Sequence, residues 1–215
     1  MVELLRRYTD VMSLLDIVRH NRLTLTSPSR WYDQNDAICL RQYGEMRGQG
    51  EVYALCLAEG PELAHHWQIF AGHNHGLCIQ FDKAEFIKIL QNHKYPNDIL
   101  HGPVQYKSLK QIESMNPIDR DVLPFLKRDT FKAEAEYRVV AWEEDWLAGT
   151  TYSIPFSAKS ITRVLIGPST PRQLAENLKE IVRQEKGCKD IPFAISRLVN
   201  NASWAEAISK GLKLK

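Results

Sequence analysis

The hydrophobic period changes twice within the first 26 residues, which limits the folds open to this chain. The segment "ELLRRYT" at 3–9 has the pattern of a short strand, and "DVMSLLDIVRHN" at 10–21 has apolar residues at helical spacing. We expect Asp10 to cap that helix, because an aspartate side chain accepts hydrogen bonds from first-turn N–H groups. The next segment, "RLTLT", alternates as a strand does. The chain is therefore expected to mix short strands with short helices.

The same mixture continues to the end of the chain. Further strand patterns are "EVYALCLAE", "LCIQFD", "GPVQYK", "TTYSIPF", "ITRVLIG" and "IPFAISRLV". Further helix patterns are "PELAHHWQIFAG", "KAEFIKILQN", "IDRDVLPFLKRDT", "TPRQLAENLKEIVRQEKG" and "SWAEAISKGLKLK". No repeat, low-complexity tract or linker divides them. The sequence predicts one α+β domain over residues 1–215.

Composition excludes several classes of protein. With 44% hydrophobic and 25% charged residues the chain is too apolar to be disordered, and a net charge of +2 gives no bias toward nucleic acid or anionic membrane. The four cysteines form no C-x-x-C pair, so neither a zinc site nor a disulfide framework is indicated. The first residues lack the apolar stretch of a signal peptide, and no run approaches the about 18 apolar residues that span a bilayer. We expect a cytoplasmic protein without a membrane partner.

The sequence matches none of the common glycine-rich or metal-binding motifs. The segment "GEMRGQG" at 44–50 is expected to be a flexible connection, since it matches neither a P-loop nor a dinucleotide-binding loop. The segment "DQND" lacks the glycine of a calcium loop, and the histidines at 65, 66, 73 and 75 have no further ligands at zinc spacing. We therefore expect no metal.

The segment "FKAEAEYRVVAW" at 131–142 carries the strongest chemical pattern. In a strand, Glu134, Glu136 and Arg138 share one face. Two carboxylates entering one cleft suit glycosidic-bond cleavage, because a carboxylate stabilises an oxocarbenium-like transition state. The competing interpretation is a solvated strand face with a Glu136–Arg138 ion pair, which is the commoner origin of charge alternation.

Two other segments carry groups that orient a ligand. Arg7 and Thr9 share one face of the first strand, where a guanidinium and a hydroxyl bind phosphate. The alternative is an edge strand whose arginines prevent edge-to-edge pairing. The loop "TSPSRWYDQND" supplies Ser27 as a hydroxyl, and Trp31 and Tyr32 as aromatics that stack on a flat ring. Its alternative is an ordinary turn held by side-chain bonds to its own backbone.

Taken together, these segments resemble an uncharacterised bacterial family known only as a domain of unknown function. The resemblance rests on "LRRYT", "LLDIVRHNRLTLTSPSRWYDQND", "YALCLAE", "HHWQIFAGHNHGLCIQFD" and "FKAEAEYRVV", and so covers most of residues 4–142. Its most specific motifs are L-x-S-P-x-x-W-x-D and E-x-E-Y-R. The chain departs from the family pattern at Gln34, Ala58 and Phe70, where proline, serine and tyrosine are usual.

The order of these parts also resembles a divergent ADP-ribosyltransferase. That resemblance implies central β-sheets flanked by helices, NAD as substrate and no metal. It implies that Glu136 is the catalytic glutamate, that Glu134 positions the acceptor, and that Arg7 binds the NAD ribose or phosphate. Trp31 or Tyr32 would stack on nicotinamide, and the middle motif would come from Thr26, Ser27 or residues 53–56.

The biological role implied is that of a toxin or antiphage effector that modifies a nucleic acid or a protein, with an antitoxin as a further partner. Two alternatives stay open from the sequence. One is an NAD glycohydrolase, in which water is the acceptor. The other is a binding module for a nucleotide or a protein, without catalysis.

Overall fold

The structure is a computed structural model that describes residues 2–31, 33–48, 50–72, 75–92, 99–143 and 151–212. The strands are β1 (Leu4–Thr9), β2 (Arg22–Thr26), β3 (Glu51–Ala58), β4 (Leu77–Asp82), β5 (Leu100–Pro103), β6 (Gln105–Lys107), β7 (Leu126–Arg128), β8 (Glu136–Glu143), β9 (Thr151–Pro155), β10 (Ile161–Ile166) and β11 (Phe193–Ile195). The helices are α1 (Val11–His20), α2 (Gln34–Arg47), α3 (Ala64–Phe70), α4 (Lys83–Gln91), α5 (Leu109–Ser114), α6 (Arg172–Gln184) and α7 (Ala202–Leu212). The mixture confirms the predicted α+β class.

One large mixed sheet organises the chain. Within the described residues, nine strands join in the order β11-β10-β4-β1-β3-β2-β9, with β8 on β3 and β5 on β8. The pairs are antiparallel except for β10 with β11. Strands β6 and β7 form a separate parallel pair.

Helices cover both faces of this sheet. Buried residues of α1, α4 and α6 pack on one face against alternate residues of the strands, such as Leu55 and Val139. On the other face, α2 packs against Ala54 and Val140, and α3 packs against Ala58. The alternation of side chains along each strand therefore divides the sequence between two apolar layers.

The sheet opens between β1 and β2. Strand β3 pairs with β8 along its whole length, from Glu51↔Glu143 to Ala58↔Glu136. On its other edge, β3 meets β1 only at Arg6↔Ala58 and meets β2 only at Thr26↔Ala54. Between these two points β1 and β2 diverge, and the backbone of residues 55–57 borders the gap.

Two local predictions were wrong, for identifiable reasons. Glu134 ends a 3-10 helix, Asp129–Glu134, and β8 begins only at Glu136. The preceding lysine, alanine and glutamate are good helix formers, and this local preference prevails over the alternating pattern. The expected connection at 44–50 is largely the end of α2, which Gly48 terminates with φ 113°. Gly44 lies inside this helix, at a position where a Cβ would come within 2.9 Å of the Val52 side chain.

Of the other local predictions, the cap of α1 is confirmed and the helix at 118–130 is wrong. The Asp10 side chain accepts a hydrogen bond from the Ser13 N–H at 2.8 Å, as expected of the α1 cap. The predicted helix at 118–130 is instead two 3-10 helices separated by β7. Among the described helices, none has both the length and the apolar character needed to cross a bilayer. All four cysteines are free thiols.

Candidate functional site

The gap between β1 and β2 leads into a cavity of about 540 Å³. This volume lies within the roughly 300–1,000 Å³ typical of small-molecule sites. Strands β1, β2, β3 and β8, helices α2 and α3 and the Asp129–Glu134 helix all contribute to its wall. Polar or aromatic lining residues include Arg7, Thr9, Thr26, Trp31, Asp36, Cys56, Lys127, Phe131, Glu134 and Glu136.

Most of the sequence-predicted residues meet in this cavity. Arg7, Thr9, Trp31, Glu134 and Glu136 all line it. Arg7 and Thr9 belong to the strand face that carries the core residue Leu5, whereas Glu136 belongs to the opposite face, which carries Val140. They reach one cavity because the sheet is open between β1 and β2.

The remaining predicted residues do not line the cavity or are not described. Among the described residues, Ser27 is not part of the cavity wall, and its hydroxyl donates to Glu51 Oε1 at 2.5 Å. Tyr32 lies outside the described residues. Of the segments considered for the middle motif, Thr26 and Cys56 line the cavity.

Arg138 is the centre of a buried charge network behind this wall. Its side chain is fully buried, and its guanidinium makes paired hydrogen bonds to two carboxylates. Nε and Nη2 donate to Glu136 at 2.7 and 2.9 Å, and Nη1 and Nη2 donate to Asp36 at 2.8 and 2.7 Å. Nη1 also donates to the Pro124 carbonyl at 2.8 Å. The predicted Glu136–Arg138 pair therefore forms, but in the interior rather than on a solvated face.

Lys127 links the second predicted glutamate to the same network. Its Nζ lies 2.5 Å from Glu134 Oε2, 3.1 Å from Glu136 Oε2 and 3.4 Å from Asp36 Oδ2. Glu134 is not on the strand, yet this shared lysine brings its carboxylate beside that of Glu136. Three carboxylates thus face two cations.

The two glutamates differ in their protonation behaviour. Burial alone would raise the pKa of Glu136, but the Arg138 guanidinium prevails and lowers it to about 2. Burial raises the pKa of Glu134 above its usual range, and the Lys127 ammonium only partly offsets this. Glu136 is therefore permanently ionised at neutral pH, whereas Glu134 takes up a proton more easily.

Arg7 supplies a cation that forms no ion pair with any residue the structure describes. No described carboxylate lies within ion-pair distance of its guanidinium, and Asp10 and Asp16 act on it only over longer range. Burial lowers the pKa of Arg7 to about 10, so the group stays charged at neutral pH. A half-buried arginine with no described carboxylate at ion-pair distance suits an anionic group of a ligand.

Aromatic and thiol groups complete the wall. Trp31 lies over the Arg138 guanidinium, with 5.2 Å from the guanidinium carbon to the ring centroid. Phe131 contacts the Lys127 ammonium at 5.1 Å in the same way. The Cys56 side chain is open to the cavity, and desolvation and the Glu136 charge raise its pKa well above the ordinary value. Cys56 is therefore a neutral thiol.

Three members of this network have no direct signal in the sequence. In the sequence, Asp36 belongs to the segment "DQND", an incomplete calcium-loop pattern, but in the structure it lies in the first turn of α2, whose cap is Asp33. Lys127 belongs to β7, a three-residue strand too short to show a pattern. The sequence indicates Cys56 only as the last residue of the range 53–56 considered for the middle motif. Among the described residues, no group of histidine, cysteine, aspartate and glutamate side chains could hold a metal ion.

Comparison with known proteins adds one match. Residues 66–139 match the model of a family described as "Protein of unknown function (DUF2971)", which is about a third of the chain and includes both glutamates and Arg138. The match supports the resemblance to an uncharacterised domain family over that segment. Neither the curated proteins nor the solved structures contain a match to this chain.

Proposed function

We propose that the protein is an NAD-dependent ADP-ribosyltransferase that acts as a toxin or antiphage effector on a nucleic acid or a protein. The observation that carries the proposal is the meeting of Arg7 and Glu136 in one cavity of about 540 Å³ at the opening of the sheet. A dinucleotide offers a group for each of them, namely a pyrophosphate and a ribose that becomes cationic during the reaction.

Each part of the cavity has a role in this reaction. Arg7 binds the pyrophosphate, with Thr9 as an added hydroxyl donor, and Trp31 offers a face for the nicotinamide ring. Glu136 stays ionised because of Arg138 and stabilises positive charge on the ribose as the bond to nicotinamide breaks. The bonding pair leaves with nicotinamide, and a nucleophile of the acceptor then bonds to the same ribose carbon.

Glu134 is suited to the acceptor side of the transfer. The nucleophile must lose a proton as it bonds to the ribose, and a carboxylate with a raised pKa is a better base than one with a lowered pKa. This division of roles agrees with what the resemblance implies for the two residues.

The test uses NAD labelled in the nicotinamide and in the adenylate, incubated with the purified protein and a cell lysate. We expect release of nicotinamide and transfer of the adenylate label to macromolecules. Glu136→Gln should lower the rate by about 100-fold or more, since it removes the charge that faces the ribose. Glu134→Gln should lower label transfer more than nicotinamide release. Thermal unfolding of both variants controls for loss of structure.

The outcomes separate the proposal from its alternatives. Free ADP-ribose without labelled macromolecules would indicate a glycohydrolase. NAD binding without turnover in any lysate, and unaffected by Glu136→Gln, would indicate a binding module. Either result would contradict transferase activity.

A further inference from the structure

The turn that precedes β8 is fixed at three consecutive residues by three separate parts of the fold. Ala135 is in the left-handed conformation, with φ 45°, which a residue with a side chain rarely adopts without support. The Ala135 carbonyl accepts from the Glu59 N–H at 2.8 Å, and the Glu136 N–H donates to the Tyr106 hydroxyl at 2.8 Å. The Glu134 carbonyl lies 3.1 Å from His66 Nε2. These contacts set where the two carboxylates enter the cavity.

The His66 contact defines the state of its ring. A carbonyl oxygen only accepts, so Nε2 carries the proton and Nδ1 is a bare acceptor. His66 is fully buried, and its Nδ1 has no hydrogen-bond partner among the described residues. Burial lowers the pKa of His66 to about 4, which keeps the ring neutral at physiological pH.

The helix that carries His66 is itself firmly held. The neighbouring Trp67 is fully buried, and its Nε1 donates to Glu62 at 2.8 Å. The Tyr8 ring on β1 packs against both, with centroids 4.9 Å from His66 and 5.4 Å from Trp67. An apolar side chain would fill this space without burying an unpartnered nitrogen. The hydrogen bond to Glu134 is therefore the specific contribution of a histidine here.

We propose that His66 is a positioning residue, whose Nε2–H holds the Glu134 carbonyl and so fixes the turn that presents Glu134 and Glu136 to the cavity. Its effect on turnover rests on the proposed transferase function, whereas its effect on the turn does not. His66 does not line the cavity among the described residues, and so it acts through the two glutamates.

The test compares two amide substitutions that differ in reach. In His66→Gln the amide nitrogen can occupy the place of Nε2, whereas in His66→Asn it reaches only to the place of Nδ1. We expect His66→Asn to lower kcat for nicotinamide release by about 10- to 100-fold, the effect of a displacement of about 1 Å at a reacting group. KM should stay within about three-fold, because the Arg7 side of the cavity is unchanged. His66→Gln should restore kcat.

Two further measurements do not depend on activity. Hydrogen–deuterium exchange of the peptide that covers 131–138 should be faster in His66→Asn and normal in His66→Gln. Nitrogen NMR of the wild type should find the proton on Nε2 of His66. A proton on Nδ1, or unchanged exchange in His66→Asn, would overturn the proposal.

The two proposals can fail separately. If the wild type releases no nicotinamide, the transferase proposal fails, and exchange and NMR still decide the role of His66. If the enzyme is active and His66→Asn speeds exchange without changing kcat, or if both variants lower kcat and thermal stability alike, His66 is structural and the positioning proposal is overturned.

Discussion

Replacing Arg138 by methionine tests whether the buried charge network holds the site together. Methionine has a similar length but makes none of the five hydrogen bonds of the guanidinium. The buried carboxylates of Asp36 and Glu136, with the partly buried Glu134 beside them, would then face only Lys127. Removing one partner of a buried ion pair typically costs about 3–5 kcal/mol of unfolding free energy.

A second figure, for the stability that ionised Glu136 contributes, comes from the pKa of its carboxyl group. Its fall from the ordinary 4.5 to about 2 corresponds to about 3 kcal/mol of stability at neutral pH. Because the folded pKa is the lower one, this contribution is present above pH 4.5 and disappears as the pH falls toward 2. Each figure is a large part of the unfolding free energy of an ordinary domain, which is roughly 5–15 kcal/mol.

The assay is urea unfolding followed by tryptophan fluorescence, at pH 7 and at about pH 4.5. In Arg138→Met, burial and the neighbouring carboxylates should raise the pKa of Glu136, so acid neutralises it and the deficit shrinks at the lower pH. Arg19→Met is the matched control, since Arg19 is 55% exposed beside Glu185 and its pair is worth about 0–1 kcal/mol. A deficit below about 1 kcal/mol for Arg138→Met, or one that is equal at both pH values, would refute the reasoning.

Three further predictions concern single groups around the cavity. Arg7→Gln should raise the Kd for NAD, measured by calorimetry, about 10-fold or more. Its unfolding free energy should stay within about 1 kcal/mol of the wild type, because no described ion pair is lost. A larger loss of stability would indicate that Arg7 supports the fold. Cys56 should react with iodoacetamide at pH 7.5 at least about 10-fold more slowly than free cysteine, because its pKa is raised. Saturating NAD should prevent the remaining alkylation of Cys56, as measured by peptide mass spectrometry. Because the pKa of His66 is lowered in the folded state, its contribution to the unfolding free energy is present above pH 6.5 and is lost as the pH falls toward 4. In His66→Gln, the unfolding free energy from urea titrations should therefore fall by up to about 3 kcal/mol less over this pH range than in the wild type. Identical pH profiles would contradict this.

The sequence predicts the elements whose core-facing period is regular. In α1 the buried residues recur at helical spacing and in β2 they alternate, and each of these elements has a cap or a polar break at its end. The sequence does not predict the structure of a segment in which the local preference and a tertiary contact favour different conformations. Gly44 has the character of a loop residue in the sequence, but it lies inside α2, where the close approach of the Val52 side chain leaves little room for a Cβ. Only the packing of α2 on β3 could reveal this.

In the candidate site, too, the sequence indicates some residues, whereas their arrangement follows only from the tertiary structure. The types of Glu136 and Arg7 indicated their chemistry, but their meeting depends on the divergence of β1 and β2, which no local pattern encodes. Lys127 reaches the glutamates because β7 pairs with β6 away from the main sheet. Such long-range contacts follow from topology, and the sequence therefore indicates Glu136 and Arg7 better than it indicates Lys127 and Asp36, which lie beside Glu136.

The hydrogen bonds around Glu136 indicate how a ribose would approach it. An ionised carboxylate has about four acceptor positions. Arg138 Nε and Nη2 and Lys127 Nζ occupy three, at 2.7, 2.9 and 3.1 Å. The Cys56 thiol faces the same carboxylate and helps to lower its pKa, and a thiol is the weakest donor of this set. Cys56 is also open to the cavity, whereas Arg138 is fully buried. A ribose hydroxyl that replaces the thiol would therefore reach Glu136 without disturbing the ion pairs that keep it charged.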